Sequence, residues 1–114
     1  MSVPTIETDL LEAKASEVAG LLRAIANERR LVILCRLVEW GEASPGALAC
    51  AVGLSQSALS QHLAKMRDEG LVTYRRDRQT LWYRIADPRV EQLFAFLHRT
   101  FCAPGEDSNL KSTE

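Results

Sequence analysis

Apolar positions recur along this chain with two different periods, and the change between them falls at Gly70. Before it the spacing is helical. Leu10, Leu11, Val18, Leu21, Leu22 and Ile25 predict a first helix over about Thr8–Ala26. Asn27 can accept a hydrogen bond from the first turn of the next segment, ERRLVILCRLVEW. That segment is apolar around much of its circumference, the pattern of a central buried helix, and Gly41 ends it. Ser44-Pro45 reads as an N-cap with proline at the first helical position, opening a short helix that stops near Gly53. Ser55 caps a further helix that runs to about Glu69.

After Gly70 the segments LVTYRR and TLWYRI are rich in β-branched and aromatic residues and predict two strands, joined by the polar loop Asp77-Arg78-Gln79. Asp87-Pro88 opens a last helix to about Phe101, with Val90, Leu93, Phe94, Leu97 and Phe101 on a stripe suited to another helix. Two helices joined by a tight Gly-containing turn form a helix-turn-helix. Followed at once by a basic hairpin, they predict a winged helix-turn-helix, mainly α with a two-stranded β-hairpin wing, in the order ααααββα. Residues 1–102 are expected to form one domain, and the polar residues 103–114 a flexible tail.

Composition narrows the class. With 114 residues, 46% apolar and 25% charged, the chain is an ordinary globular domain rather than a disordered, collagen-like or disulfide-stapled one. No apolar run approaches the roughly 18 residues of a membrane span. The N-terminus is acidic and lacks the apolar stretch of a signal peptide, so a cytoplasmic protein with no membrane partner is expected. Three cysteines (Cys35, Cys50 and Cys102) are too few and too uneven for a disulfide framework, and a reducing compartment keeps such thiols free.

The net charge of −1 hides an asymmetry. Residues 1–20 set Lys14 against Glu7, Asp9, Glu12 and Glu17, whereas residues 55–86 set Lys65, Arg67, Arg75, Arg76, Arg78 and Arg84 against Asp68, Glu69 and Asp77. A basic stretch inside a near-neutral protein can still contact phosphates, because the local field governs steering.

The helix that begins after Ser55 has two faces. Leu59, Leu63 and Met66 share one and would pack on the core; Gln56, Ser57, Ser60, Gln61 and Ala64 turn away from it. Exposed helix faces normally carry Glu and Lys, and this one carries amides and hydroxyls. Gln can pair with adenine in a bidentate fashion, and Ser can donate to or accept from several base edges. His62 lies nearer the core side, as a packing or phosphate residue. Lys65, Arg67, Arg75, Arg76 and Arg78 could reach phosphates, and Arg78 at the wing tip could instead enter a narrow minor groove. The candidate DNA-binding set is Gln56, Ser57, Ser60, Gln61, His62, Lys65, Arg76 and Arg78. One such helix reads few base pairs, so a homodimer on double-stranded operator DNA is expected, with first and last helices supplying the dimer surface.

The thiols admit two readings. Cys35 shares the apolar stripe of Leu31, Leu34 and Val38, which suits a small buried hydrophobe of raised pKa. Cys102 ends a helix beside Pro104-Gly105 and is expected to be accessible. No nucleophile, base and orienting group stand in a recognisable constellation, so an enzyme is not expected.

AIANERRLVILCRLV, LSQSALSQHLAKMRDEGLV and RRDRQTLWYRI together resemble the ArsR-type winged-helix transcriptional repressors, over about Val18–Cys102. The resemblance implies a homodimeric repressor that leaves its operator when an inducer binds, with Gln56, Ser57, Ser60 and Gln61 reading DNA. Many members sense metals. Here ASPGALACAV offers only Cys50, the last helix offers only His98, and a transition-metal site needs three or four converging ligands, so no metal or cofactor is expected. Cys35 and Cys102 match the paired cysteines of the sulfide- and persulfide-responsive branch (BigR-, SqrR- and HlyU-like). That implies redox sensing at Cys35 and Cys102, with a persulfide or other oxidising sulfur species as inducer, and a link between the thiols, direct or through extra sulfur, that lowers operator affinity. Cys50 is an additional thiol. The alternative is a metal-responsive or non-sensing repressor of the same fold.

Overall fold

The computed structural model describes residues 5–102, with side chains from residue 10 onward. The elements are α1 (Thr5–Ile25), α2 (Glu28–Trp40), α3 (Pro45–Val52), α4 (Gln56–Asp68), β1 (Val72–Asp77), β2 (Thr80–Ile85) and α5 (Pro88–Phe101). This is the expected order of a winged helix-turn-helix. The chain divides into two compact units, Met1–Leu31 and Val32–Glu114. The tail expected over 103–114 lies outside the described residues.

In the first unit, α1 begins a turn earlier than the apolar pattern required. Its last carbonyls, which have no partner within the helix, find one in Arg30, whose Nη1 donates to the Ala24 carbonyl at 2.6 Å. Asn27 caps α2 as expected, its Oδ1 accepting from the Arg30 N–H at 3.1 Å. Leu10, Leu11, Val18 and Leu22 are exposed on α1, while Ile25 is buried.

In the second unit, α2 buries Ile33, Leu34 and Leu37 but leaves Val32 and Trp40 at the surface. The expected fully buried helix is therefore buried on one face. Apolarity around a helix measures what it can bury, and a chain this short has limited means to cover it. Ser44 Oγ accepts from the Ala47 N–H at 3.4 Å to start α3, and Ser55 Oγ accepts from the Ala58 N–H at 3.0 Å to start α4. Gly53, at φ 72°, makes the left-handed turn between them. Packing of α3 on α4, α4 on β1, and both α3 and α5 on β2 closes the core. Its fully buried members include Leu48, Leu59, Leu63, Met66, Val90 and Phe94.

β1 and β2 pair antiparallel from Val72↔Ile85 to Asp77↔Thr80. The wing turn is therefore the two residues Arg78-Gln79, one shorter than the loop expected, because Asp77 joins the ladder. Two-residue turns demand positive φ and usually show Asn-Gly or Gly; here Arg78 adopts φ 61° without either signal. A single bridge adds the segment before α3 to the outer edge of β2: the Ala43 N–H donates to the Tyr83 carbonyl at 3.0 Å, and the Tyr83 N–H donates back at 2.9 Å.

An L side chain in the left-handed region is disfavoured relative to glycine. Arg78→Gly removes a left-handed penalty of about 1–2 kcal/mol and adds about 0.5–1 kcal/mol of glycine entropy, so it should stabilise the fold by up to about 1 kcal/mol, seen as a higher midpoint in thermal unfolding. A lower midpoint would show that the Arg78 side chain contributes contacts outweighing its backbone strain.

Candidate functional site

The core sets how α4 is turned. With Leu59, Leu63 and Met66 sealed inside, Gln56, Ser57, Ser60 and Gln61 are exposed along the opposite side. Lys65 is exposed one turn further on, and His62 is half-buried on the flank. The exposed residues are short and neutral, so a groove floor or a base edge can approach the helix axis closely.

An open groove of about 420 Å³ lies beside this face. Ser44 and Gly46 from the start of α3, Gln56 and Ser60 from α4, and Thr80 and Leu81 from the wing line it. Ser44, Gly46 and Thr80 had no distinguishing signal in the sequence beyond the cap, since only the fold brings α3's first turn against the hairpin. Cross-strand partners share a face, so Arg76 stands with Leu81 on one face of the hairpin and Arg75 with Trp82 on the other. Arg76 and Arg78 are exposed.

Two of the arginines read as able to reach phosphates, Arg75 and Arg67, are exposed and also have partners within the protein. Arg75 Nε and Nη2 donate to Glu42 Oε2 and Oε1 at 2.9 and 2.7 Å, a two-pronged pair. The guanidinium also sits 5.8 Å from the centroid of Trp82 and 4.0 Å from Asp77 Oδ2. The hydrogen bonds from Arg75 hold the Glu42 carboxyl below its ordinary pKa, and the same bonds raise that of Arg75. Arg67 lies 5.4 Å over the ring of Tyr74, which packs at 5.2 Å against Tyr83. Cation–π contacts of this kind tether α4 to the base of the wing.

The thiols occupy a different part of the second unit. Cys50 is exposed on α3, Cys35 is half-buried on α2, and Cys102 is exposed at the end of α5, its N–H donating to the His98 carbonyl at 2.8 Å. Cys35 and Cys102 come within side-chain hydrogen-bonding reach of each other. Burial, and then the charge of Cys102, push the Cys35 thiol above its ordinary pKa; the neighbouring Arg36 guanidinium works against them. Arg36 is itself tied to Glu39 at 3.0 Å and stands 5.9 Å from the Trp40 ring. Burial and the raised pKa both shield Cys35, whereas Cys50 and Cys102 are open to solvent. Among the described residues no three His, Cys, Asp or Glu side chains are grouped to hold a metal ion.

The family model described as "Bacterial regulatory protein, arsR family" matches residues 27–74. The transcriptional activator HlyU of Vibrio cholerae is 46% identical over 92 residues, covering 81% of this chain and 84% of that protein. A solved structure of reduced HlyU from Vibrio cholerae superposes with a TM-score of 0.74 at 45% identity, covering 82% of this chain and 97% of that one. The transcriptional repressor BigR from Xylella fastidiosa superposes at 0.73 with 38% identity, covering 84% and 97%.

Burial and the neighbouring sulfur set the order of thiol reactivity. Iodoacetamide at neutral pH should label Cys50 and Cys102 ahead of Cys35, followed by peptide mass analysis. In Cys102→Ser, with the adjacent thiol gone, labelling of Cys35 should begin at lower pH than in the parent. Preferential labelling of Cys35 in the parent protein would contradict this arrangement.

Proposed function

This chain belongs to the ArsR family of bacterial regulatory proteins, and on that footing we propose that it is a homodimer whose hold on operator DNA is switched by sulfur chemistry at Cys35 and Cys102. The family's members are DNA-binding regulators of transcription rather than enzymes, and the winged helix-turn-helix here is the fold they use. No helix among the described residues is long and apolar enough to cross a membrane, in keeping with action on the chromosome in the cytoplasm.

In this reading α4 enters the major groove. Gln56, Ser57, Ser60 and Gln61 meet base edges, while His62, Lys65, Arg76 and Arg78 meet the backbone on either side. Two-fold symmetry sets a second α4 about one DNA turn, roughly 34 Å, away. Each terminal helix has apolar surface to give a dimer: Leu11, Val18 and Leu22 on α1, and Phe96 and Phe101 on α5 are all exposed. Exposed apolar stripes of this kind mark interaction surfaces.

The switch rests on one observation, the approach of the Cys102 thiol to Cys35 from a helix at the far end of the sequence. Cys102 as thiolate attacks the outer sulfur of a persulfide RSSH, releasing RS⁻ and leaving Cys102–SSH. Cys35 then attacks the Cys102 sulfur through the small thiolate fraction that its raised pKa leaves at neutral pH, which makes this the slower step. A Cys35–Cys102 disulfide forms and HS⁻ departs, so the two protein thiols are oxidised and the persulfide is reduced to RSH and H₂S. The bond ties the end of α5 to α2 and alters the spacing of the two α4 helices. That the V. cholerae relative has been solved in a form described as reduced accords with thiol chemistry in this part of the family. Relatives are named both as activator and as repressor.

The test is titration of a duplex selected by the reduced protein from a randomised library, before and after glutathione persulfide. Wild type should lose about 5- to 150-fold in affinity on treatment, the range of a typical coupling between sites. Cys35→Ser and Cys102→Ser should hold their affinity. Treated wild type that binds as tightly as untreated would refute the switch.

A further inference from the structure

Glu42 belongs to no helix or strand, yet it holds a two-pronged ion pair with a residue 33 positions away. It stands between α2 and α3, one residue before the bridge of Ala43 to Tyr83. Continuing that register sets Glu42 alongside Arg84 at the outer edge of β2. Its partner Arg75 comes from the far strand, β1, and is paired with Trp82 of β2. The guanidinium therefore crosses over the indole of Trp82 and closes on both carboxylate oxygens of Glu42. One side-chain array spans β1, β2 and the segment that leads into α3.

A two-stranded ribbon is marginally stable alone and twists readily. The base of this wing is fixed by Val72, Tyr83 and Ile85 in the core, but the outer residues, from Arg75 to Gln79, are exposed. The Ala43 bridge and the Glu42–Arg75 fork join the wing to the segment that leads into α3. We propose that the fork, seated on Trp82, is a brace setting the pitch of the wing against α3 and α4, and that Glu42, Arg75 and Trp82 are positioning residues for DNA docking. The proposal rests on the reading that the wing meets DNA through Arg76 and Arg78.

Two features favour positioning over the alternatives. Arg75 does not line the groove between α3, α4 and the wing, and its guanidinium is taken up by both carboxylate oxygens of Glu42. Arg75 and Glu42 side chains are also 53% and 34% exposed, and pairs that open to water add little to stability. What a two-pronged pair adds there is orientation, and sites tolerate only small errors of geometry.

The experiment measures affinity for the selected duplex across salt for Glu42→Gln, Arg75→Lys, Arg75→Glu and the charge swap Glu42→Arg with Arg75→Glu, with Arg76→Ala for comparison. Removing an acid beside a DNA interface should by charge alone tighten binding. The brace requires the reverse: Glu42→Gln and Arg75→Lys each weaken binding about tenfold, with the slope of log K against log salt unchanged. Lys keeps the charge but not the fork. The swap should recover affinity to within about threefold of wild type, while Arg76→Ala should lower the salt slope by about one. Glu42→Gln or Arg75→Lys binding as tightly as wild type would overturn the brace while leaving the DNA reading standing. So would a swap as weak as Arg75→Glu alone with a lowered slope, the mark of a direct phosphate contact. Should the swap fail to fold by circular dichroism, the two conservative variants decide. Wild type that shows no salt-dependent duplex binding would remove the DNA reading and the brace with it.

Discussion

The stripe of α4 that carries Leu59, Leu63 and Met66 is sealed in the core, each side chain at most 1% exposed. Burying a side chain of this size is worth about 1.5–3 kcal/mol, so turning α4 by even one position along its circumference is prohibitive. That constraint has consequences at every level. It presents Gln56, Ser57, Ser60 and Gln61 as a single outward surface, it sets the Arg67 guanidinium over Tyr74, and it places one wall of the groove shared with the wing. A helix held so firmly can dispense with charge on its outer face, and a neutral, short-chained face is what close approach to base edges requires.

α5 is held differently along its length. Val90 and Phe94 anchor its first half in the core, whereas Phe96, Phe101 and Cys102 in its second half are exposed. Cys102 thus follows the half of the helix that the core holds least. The wing shows the same division. Its base is buried with Val72 and Ile85, and its outer half relies on polar and cation–π contacts, those of Arg75 with Glu42 and Trp82.

Much of this was legible from local chemistry. Ser44-Pro45, Ser55 and Asp87-Pro88 are cap signals whose physics needs only neighbours a few residues away, and all three open helices in the structure. The two-faced pattern of α4 likewise follows from helical periodicity. What escaped depends on distant partners. Arg67 and Arg75 look like phosphate ligands along the chain, and nothing near them announces Tyr74 as a stacking platform or Glu42, from before α3, as a partner. The Ala43 bridge is one residue long and leaves no period to read. Arg78 took a conformation that residue type rarely adopts, so the turn was tighter than its composition suggested. The closeness of Cys35 and Cys102 could be inferred from family resemblance alone, because two thiols on separate helices carry no local sign of their separation.

The central claim is that the outward face of α4 reads base edges. The most direct measurement is selection from a randomised duplex library by wild type, Gln61→Ala and Lys65→Ala, with sequencing of the bound fraction and affinities at fixed salt. The account predicts that Gln61→Ala relaxes preference at one or two adjacent positions of each half-site, at a cost of about 1–3 kcal/mol there, while Lys65→Ala weakens all sequences alike. Identical base preferences for Gln61→Ala and wild type, at equal affinity, would contradict it.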